Sequence, residues 1–71
     1  MRNLDKKTVG RWLKSARLSR GLTQYEFAAA TKMSQAKVSK VESGVSNVTL
    51  REMARTLKYL KLGWNTLNGA R

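Results

Sequence analysis

Two segments of the chain begin with the same helix-start pattern, a threonine followed three residues later by a glutamate. Thr23 and Glu26 form the first pair, and Thr49 and Glu52 form the second. In such a capping box the hydroxyl accepts a hydrogen bond from a backbone N–H of the first turn, and the glutamate accepts one from the N–H of the threonine. Each pair therefore predicts that a helix begins at that point.

The first helix is predicted from apolar spacing and extends from about Leu4 to Ser19. Its apolar side chains recur at the spacing of one helical face. Asp5 near the start suits the helix dipole, and Gly21 provides the left-handed residue that helix ends favour. The apolar positions are Val9, Trp12, Leu13 and Ala16.

Two short helices in the middle of the chain are separated by only a few residues. The second helix starts after Thr23 and ends near Thr31. Ser34 can cap a third helix over Gln35–Glu42, with Gly44 at its stop position. Two helices joined in this way form a helix-turn-helix, here over residues 23–43.

A fourth helix runs from the Thr49 cap to about Lys61, and residues 62–71 form a short C-terminal segment that can add one last turn. The apolar stripe of the fourth helix consists of Leu50, Met53, Ala54, Leu57 and Leu60. The 71 residues contain no proline and five glycines, a composition that favours helices. We expect an all-α fold, a compact bundle of four to five short helices, in one domain over residues 1–71.

Most enzyme chemistry lacks its usual residues. The chain has no cysteine and no histidine, which removes thiolate and imidazole metal ligands and the nucleophile–histidine pairs of hydrolases. The four carboxylates are spread along the chain rather than paired at one helical spacing. We therefore expect no enzymatic activity, no metal and no cofactor.

The charge of the chain indicates a polyanionic partner. Fifteen lysines and arginines against four acids give a formal net charge of +11, more than solubility alone needs. Nucleic acid is the leading partner. The alternative of a cationic amphipathic protein on an anionic membrane conflicts with capping motifs that favour a water-folded globule. Without a long apolar run or a secretory pattern, a cytoplasmic, nucleoid-associated location is expected.

The third helix has a cationic outward face. A helical wheel places Val38, Val41 and Glu42 on the buried side, and the other positions carry small, polar or basic side chains without an acid. In the major groove glutamine pairs with adenine, lysine with guanine, serine with either, and an alanine methyl contacts thymine. This face and its flanks carry residues of these types, namely Gln35, Ala36, Lys37, Ser39, Lys40 and Ser43. A solvated face whose lysines only aid solubility is the alternative.

The pattern over about residues 9–67 resembles the helix-turn-helix family of phage repressors and Cro proteins, the lambda-repressor-like proteins. The residues that carry the resemblance are Leu22, Thr23, Gln24, Ala28, Met33, Ser34, Val38, Val41, Glu42 and Gly44. The resemblance implies that the third helix lies in the major groove and that the second bridges the phosphate backbone. It also implies two-fold dimers on near-palindromic operators.

Residue roles follow from the resemblance by position. It implies that Arg17 and Glu42 form a structural ion pair. The base-reading residues that it implies are Gln35 and Ala36 first, with Lys37, Ser39 and Lys40 next. It also implies phosphate contacts at the start of the second helix and in the loop after the third, to which we add polar residues around the motif. The predicted phosphate-binding residues are Gln24, Tyr25, Lys32, Ser34, Ser43, Asn47 and Thr49.

Lys32 departs from the family pattern, because the family frequently has glycine in the turn between the two helices. A lysine can take a left-handed conformation only at a cost of about 1 kcal/mol. Either the turn is slightly extended or the chain tolerates that strain. The lysine side chain contacts phosphate or is simply solvated.

The aromatic residues divide between the core and a predicted dimer seam. Trp12 and Phe27 lie on the apolar faces of their helices and are expected in the core. A large indole near a terminus has little left to cover it, which favours a contact with a second copy. The predicted dimer seam consists of Trp64, Leu67, Tyr59 and Leu60.

These observations predict a regulator that binds double-stranded DNA in a sequence-specific manner. The simplest form is a repressor that occupies a palindromic operator as a homodimer. The alternative is a DNA-binding antitoxin, which neutralises a partner toxin and autoregulates its operon. Co-purification with an acidic toxin protein would favour that alternative.

Overall fold

The computed structural model describes residues 5–63, which form four helices and no strand. The predicted all-α bundle is confirmed, and its last predicted turn, around Trp64 and Leu67, lies outside the described residues. No helix within this range combines the length and hydropathy needed to cross a bilayer. The helices are α1 (Lys6–Ser19), α2 (Gln24–Thr31), α3 (Gln35–Glu42) and α4 (Leu50–Leu60).

Both capping boxes form as the sequence predicts. The Thr23 hydroxyl accepts from the Glu26 N–H at 3.0 Å, and the Glu26 carboxylate accepts from the Thr23 N–H at 2.9 Å. The corresponding distances for Thr49 and Glu52 are 3.1 and 2.8 Å. The backbone amides at the starts of α2 and α4 are therefore satisfied within their own segments.

The other two helices begin at single capping side chains. Ser34 Oγ accepts from the Lys37 N–H at 3.0 Å, and Asp5 Oδ1 accepts from the Thr8 N–H at 2.8 Å. The first helix thus begins at Lys6 rather than at about Leu4. Hydrogen bonds from Thr8 lower the pKa of Asp5, because they stabilise its charged form. The stabilisation is present above the usual carboxyl pKa and is lost as the pH falls through the lowered value.

Within residues 5–63 four positions have positive φ, and two of them are glycines that the sequence placed at helix ends. Gly21 has φ 67° and Gly44 has φ 81°. The other two are lysines, Lys32 and Lys61, each with φ 59°. At Lys32 the chain adopts the strained alternative rather than an extended turn.

The core lies between all four helices and differs from the predicted apolar stripes at a few positions. Leu50 is 77% exposed and Ala54 is also exposed, so the predicted stripe of α4 is too long. Thr56 is buried on this helix instead, and its hydroxyl is satisfied because it donates to the Glu52 carbonyl at 2.9 Å. Trp12 packs against the core and is only partly buried. The buried apolar residues are Val9, Leu13, Phe27, Ala28, Met33, Val38, Val41, Met53, Leu57 and Leu60.

Helices α1 and α3 approach each other closely at Gly10. This glycine is buried in the middle of the first helix. A Cβ built at this position would overlap the carbonyl oxygen of Val41 and lie 3.2 Å from that of Glu42. The missing side chain lets the C-terminal turn of α3 rest on the backbone of α1, which sets the position of the helix.

Replacing Gly10 with alanine should destabilise the protein. Although alanine favours a helix interior, overpacking at such a contact costs about 1–3 kcal/mol. Urea unfolding measures the change, with Lys14→Ala on the exposed side of α1 as a control that should stay within about 0.5 kcal/mol of the parent. A Gly10→Ala variant as stable as the parent would show that the contact is not required.

Candidate nucleic-acid interface

Helix α3 presents one polar face to solvent and anchors the other in the core. Val38 and Val41 are both 0% exposed, so the predicted buried side of the helix is where the sequence placed it. The exposed residues of the helix and its cap carry amide, methyl, hydroxyl and ammonium groups, and no carboxylate. They are Gln35, Ala36, Ser39, Lys40 and Ser43. This arrangement matches the groups that read base edges in the major groove.

Lys37, the fifth predicted base reader, occupies the flank of this face and differs from the others. It is partly buried, and its Nζ lies 3.6 Å from Glu52 Oε1 at the start of α4. The same oxygen accepts the capping hydrogen bond from the Thr49 N–H. The capping-box pattern predicts the local role of Glu52, but it gives no sign of this contact with α3.

The ion pair between Arg17 and Glu42 links α1 to the end of α3. Arg17 Nε donates to Glu42 Oε2 at 2.7 Å, and Nη2 donates to Oε1 at 3.0 Å. Their side chains are only 9% and 4% exposed, and the third donor, Nη1, binds the Leu22 carbonyl at 2.7 Å. The hydrogen bonds with Glu42 raise the pKa of Arg17, so its charge persists across the accessible pH range.

Gln24 joins the same network from the first turn of α2. Its Nε2 donates to Glu42 Oε1 at 3.1 Å, so one carboxylate holds side chains of α1 and α2. Gln24 is the first residue of α2, at the helix end where an anion is favoured, and this contact restrains its side chain. The predicted phosphate ligand is therefore held in place by the scaffold rather than free in solvent.

The turn between α2 and α3 is braced by Arg55, a residue that no sequence pattern singled out. Lys32 has φ 59° and ψ 38°. Arg55 of α4 donates from Nε to the Thr31 carbonyl at 2.9 Å and from Nη2 to the Lys32 carbonyl at 3.3 Å. The guanidinium thus binds both carbonyls at the strained corner. The glycine missing from the turn was the available signal that some compensation was needed, but it did not point to Arg55.

The remaining predicted phosphate-binding residues lie near the ends of α2 and α3, in the loop after α3 and at the start of α4. Ser43 Oγ donates to the Lys40 carbonyl at 3.1 Å, and Asn47 Oδ1 accepts from the Val48 N–H at 2.9 Å. Ser34 and Thr49 use their oxygens as helix caps, which leaves each hydroxyl proton able to reach an anion. All six are exposed, namely Tyr25, Lys32, Ser34, Ser43, Asn47 and Thr49.

The predicted dimer seam is wrong at Leu60. This side chain is 1% exposed and belongs to the core of its own chain, because it continues the buried stripe of α4. Tyr59 is 38% exposed, and its ring meets Phe27 edge-on at 6.4 Å between centroids. Trp64 and Leu67 lie outside the described residues.

A model of a helix-turn-helix family, HTH_3, matches residues 13–67. No curated protein gives a significant match. Among solved structures, the restriction-modification controller protein C.AhdI from Aeromonas hydrophila is 26% identical with a TM-score of 0.80, over 87% of this chain and 94% of that one. The clp gene regulator ClgR from Corynebacterium glutamicum is 25% identical with a TM-score of 0.82, over 92% and 69%. The controller protein C.Esp1396I, at 22% identity and a TM-score of 0.78 over 92% and 83%, shares the fold.

Replacing Arg55 with methionine should weaken the fold at the turn. The change removes two hydrogen bonds from a charged donor, and we expect a loss of about 1–2 kcal/mol in urea unfolding. Lys32→Gly in the same chain should restore part of the loss, since glycine takes the left-handed conformation freely.

Lys61 provides the matched control, because it has the same φ of 59° at the end of α4. A double-mutant cycle should show coupling between positions 55 and 32 and none between 55 and 61. Equal coupling in the two cycles would contradict the brace.

Proposed function

The chain belongs to the Cro/C1-type helix-turn-helix family, and we propose that it is a repressor that binds a palindromic operator as a homodimer. The family match and the solved structures that the chain resembles support a DNA-binding regulator of transcription. Recognition of a particular operator rests on the outward face of α3 and on the residues that hold it in place.

The observation that carries the proposal is the contrast between the two sides of α3. Behind the helix, two fully buried valines and the buried ion pair hold it against α1. In front, side chains suited to base edges stand exposed together. An ordinary solvated helix more often mixes acids with bases, whereas the acids near this face are held in structural contacts.

The charge of the chain matches a phosphate backbone. With a net charge of +11, neutralising even about six phosphates gives a salt slope near −5 in a plot of log affinity against log salt. Gln24 and the exposed polar residues around the helix ends provide the positioning contacts, while Gln35, Ala36, Ser39 and Lys40 read the bases.

Repression needs no catalytic step in this proposal. Two copies bound to half-sites about one helical turn apart exclude polymerase by occupancy. The proposed seam between the copies consists of Tyr59, Trp64 and Leu67, and it excludes Leu60, which is buried within one chain.

Selection of bound fragments from random duplex DNA, at stated salt, tests the function. We expect a palindromic consensus, because a two-fold dimer presents the same face to each half-site. Ser39→Glu, which places an acid on the outward face, is the control and should abolish enrichment without unfolding the protein. Enrichment of no consensus by the parent protein would overturn the proposal.

Two glutamine variants separate base reading from phosphate binding. Gln35→Ala should relax the preference at one operator base pair at a cost of about 1–3 kcal/mol, while Gln24→Ala should weaken binding to all sequences alike. Titration of a panel of single-base operator variants measures both effects. An unchanged ranking of the panel with Gln35→Ala would remove this residue from the base readers.

A further inference from the structure

We propose that Glu52 is a specificity-determining residue, because it holds Lys37 away from non-specific contact with DNA. The inference rests on the proposed function. The two charged groups lie 3.6 Å apart, and their side chains are 28% and 18% exposed. The pair therefore stands at the edge of the outward face, partly shielded from solvent.

Glu52 is itself held in a fixed position. Its Oε1 accepts from the Thr49 N–H at 2.8 Å, and its backbone N–H donates to the Thr49 hydroxyl. The carboxylate is therefore not a mobile surface acid but part of the start of α4. A lysine paired to a fixed acid loses the freedom to follow any phosphate that comes near.

Lys40, on the same helix, is not restrained by an acid in this way. It is exposed, and among residues 5–63 it forms no ion pair. At the centre of the outward face a mobile lysine such as Lys40 can reach base edges, whereas a mobile lysine at the flank would act as a point charge on phosphates and raise affinity without reading sequence. At the selected operator, the other base-reading residues of α3 fix the position of the protein on the duplex through their contacts in the groove. Restraining Lys37 therefore weakens binding to random duplex DNA more than binding to the operator. Specificity is the ratio of these two affinities.

The test compares two glutamates that have the same local role. Glu52→Gln and Glu26→Gln each keep a capping box, since glutamine also serves at that position, and each removes one negative charge. Only Glu52 pairs with Lys37, whereas Glu26 is exposed at the start of α2. The two variants therefore match in net charge and in helix capping.

We expect Glu52→Gln to raise affinity for random duplex DNA about 2- to 5-fold over Glu26→Gln, the equivalent of one exposed ion pair. The salt slope should steepen by about 1, as for one added phosphate contact. The ratio of operator to random affinity should fall, and circular dichroism should show that both variants are folded at the assay temperature. Fluorescence anisotropy with the selected operator and a scrambled duplex measures these quantities.

The dependence on Lys37 is checked in two backgrounds. In Lys37→Met the effect of Glu52→Gln should vanish, and in Lys40→Met it should persist. Three results would each overturn the inference. They are equal behaviour of the two glutamine variants, an effect that survives in Lys37→Met, and a ratio of operator to random affinity that rises or does not change. If the parent protein itself shows no sequence preference, the proposed function fails instead, so the two failures are distinguishable.

Discussion

The carboxylate of Glu42 organises the helix-turn-helix, because it binds side chains from two other helices at once. Arg17 of α1 contacts both of its oxygens, and Gln24 of α2 contacts one of them. Removing one member of such a buried pair leaves an uncompensated charge, at a cost of about 3–5 kcal/mol. The exposed face of α3 thus depends on charges placed behind it.

The few acids of the chain have structural positions, which leaves the cationic surface open to an anion. Asp5 and Glu26 cap α1 and α2, and Glu42 is buried in its ion pair. Glu52 caps α4 and also neutralises Lys37. The excess positive charge is therefore not evenly matched by nearby acids, and the proposed interface keeps its attraction for phosphate.

Close approach and backbone strain set the geometry of the motif. Gly10 lets α1 and α3 touch through their backbones, and Arg55 binds the carbonyls of the left-handed corner at Lys32. The absence of a side chain at Gly10 avoids a steric overlap between the two helices. The hydrogen bonds from Arg55 offset the backbone strain at Lys32. The bundle can therefore hold a lysine in a turn where glycine is the easier residue.

Local chemistry made the helix boundaries and the anchored side of α3 predictable from the sequence. A capping box needs only residues three apart, and the buried valines follow from the period of one helix, so neither requires knowledge of the other segments. Tertiary packing alone decided the rest: that Leu60 is core and not seam, that Leu50 is exposed, that Lys37 meets Glu52, and that Arg55 reaches the turn. These outcomes depend on where distant segments meet in space, because burial and ion pairing are set by neighbours that spacing along one helix does not reveal.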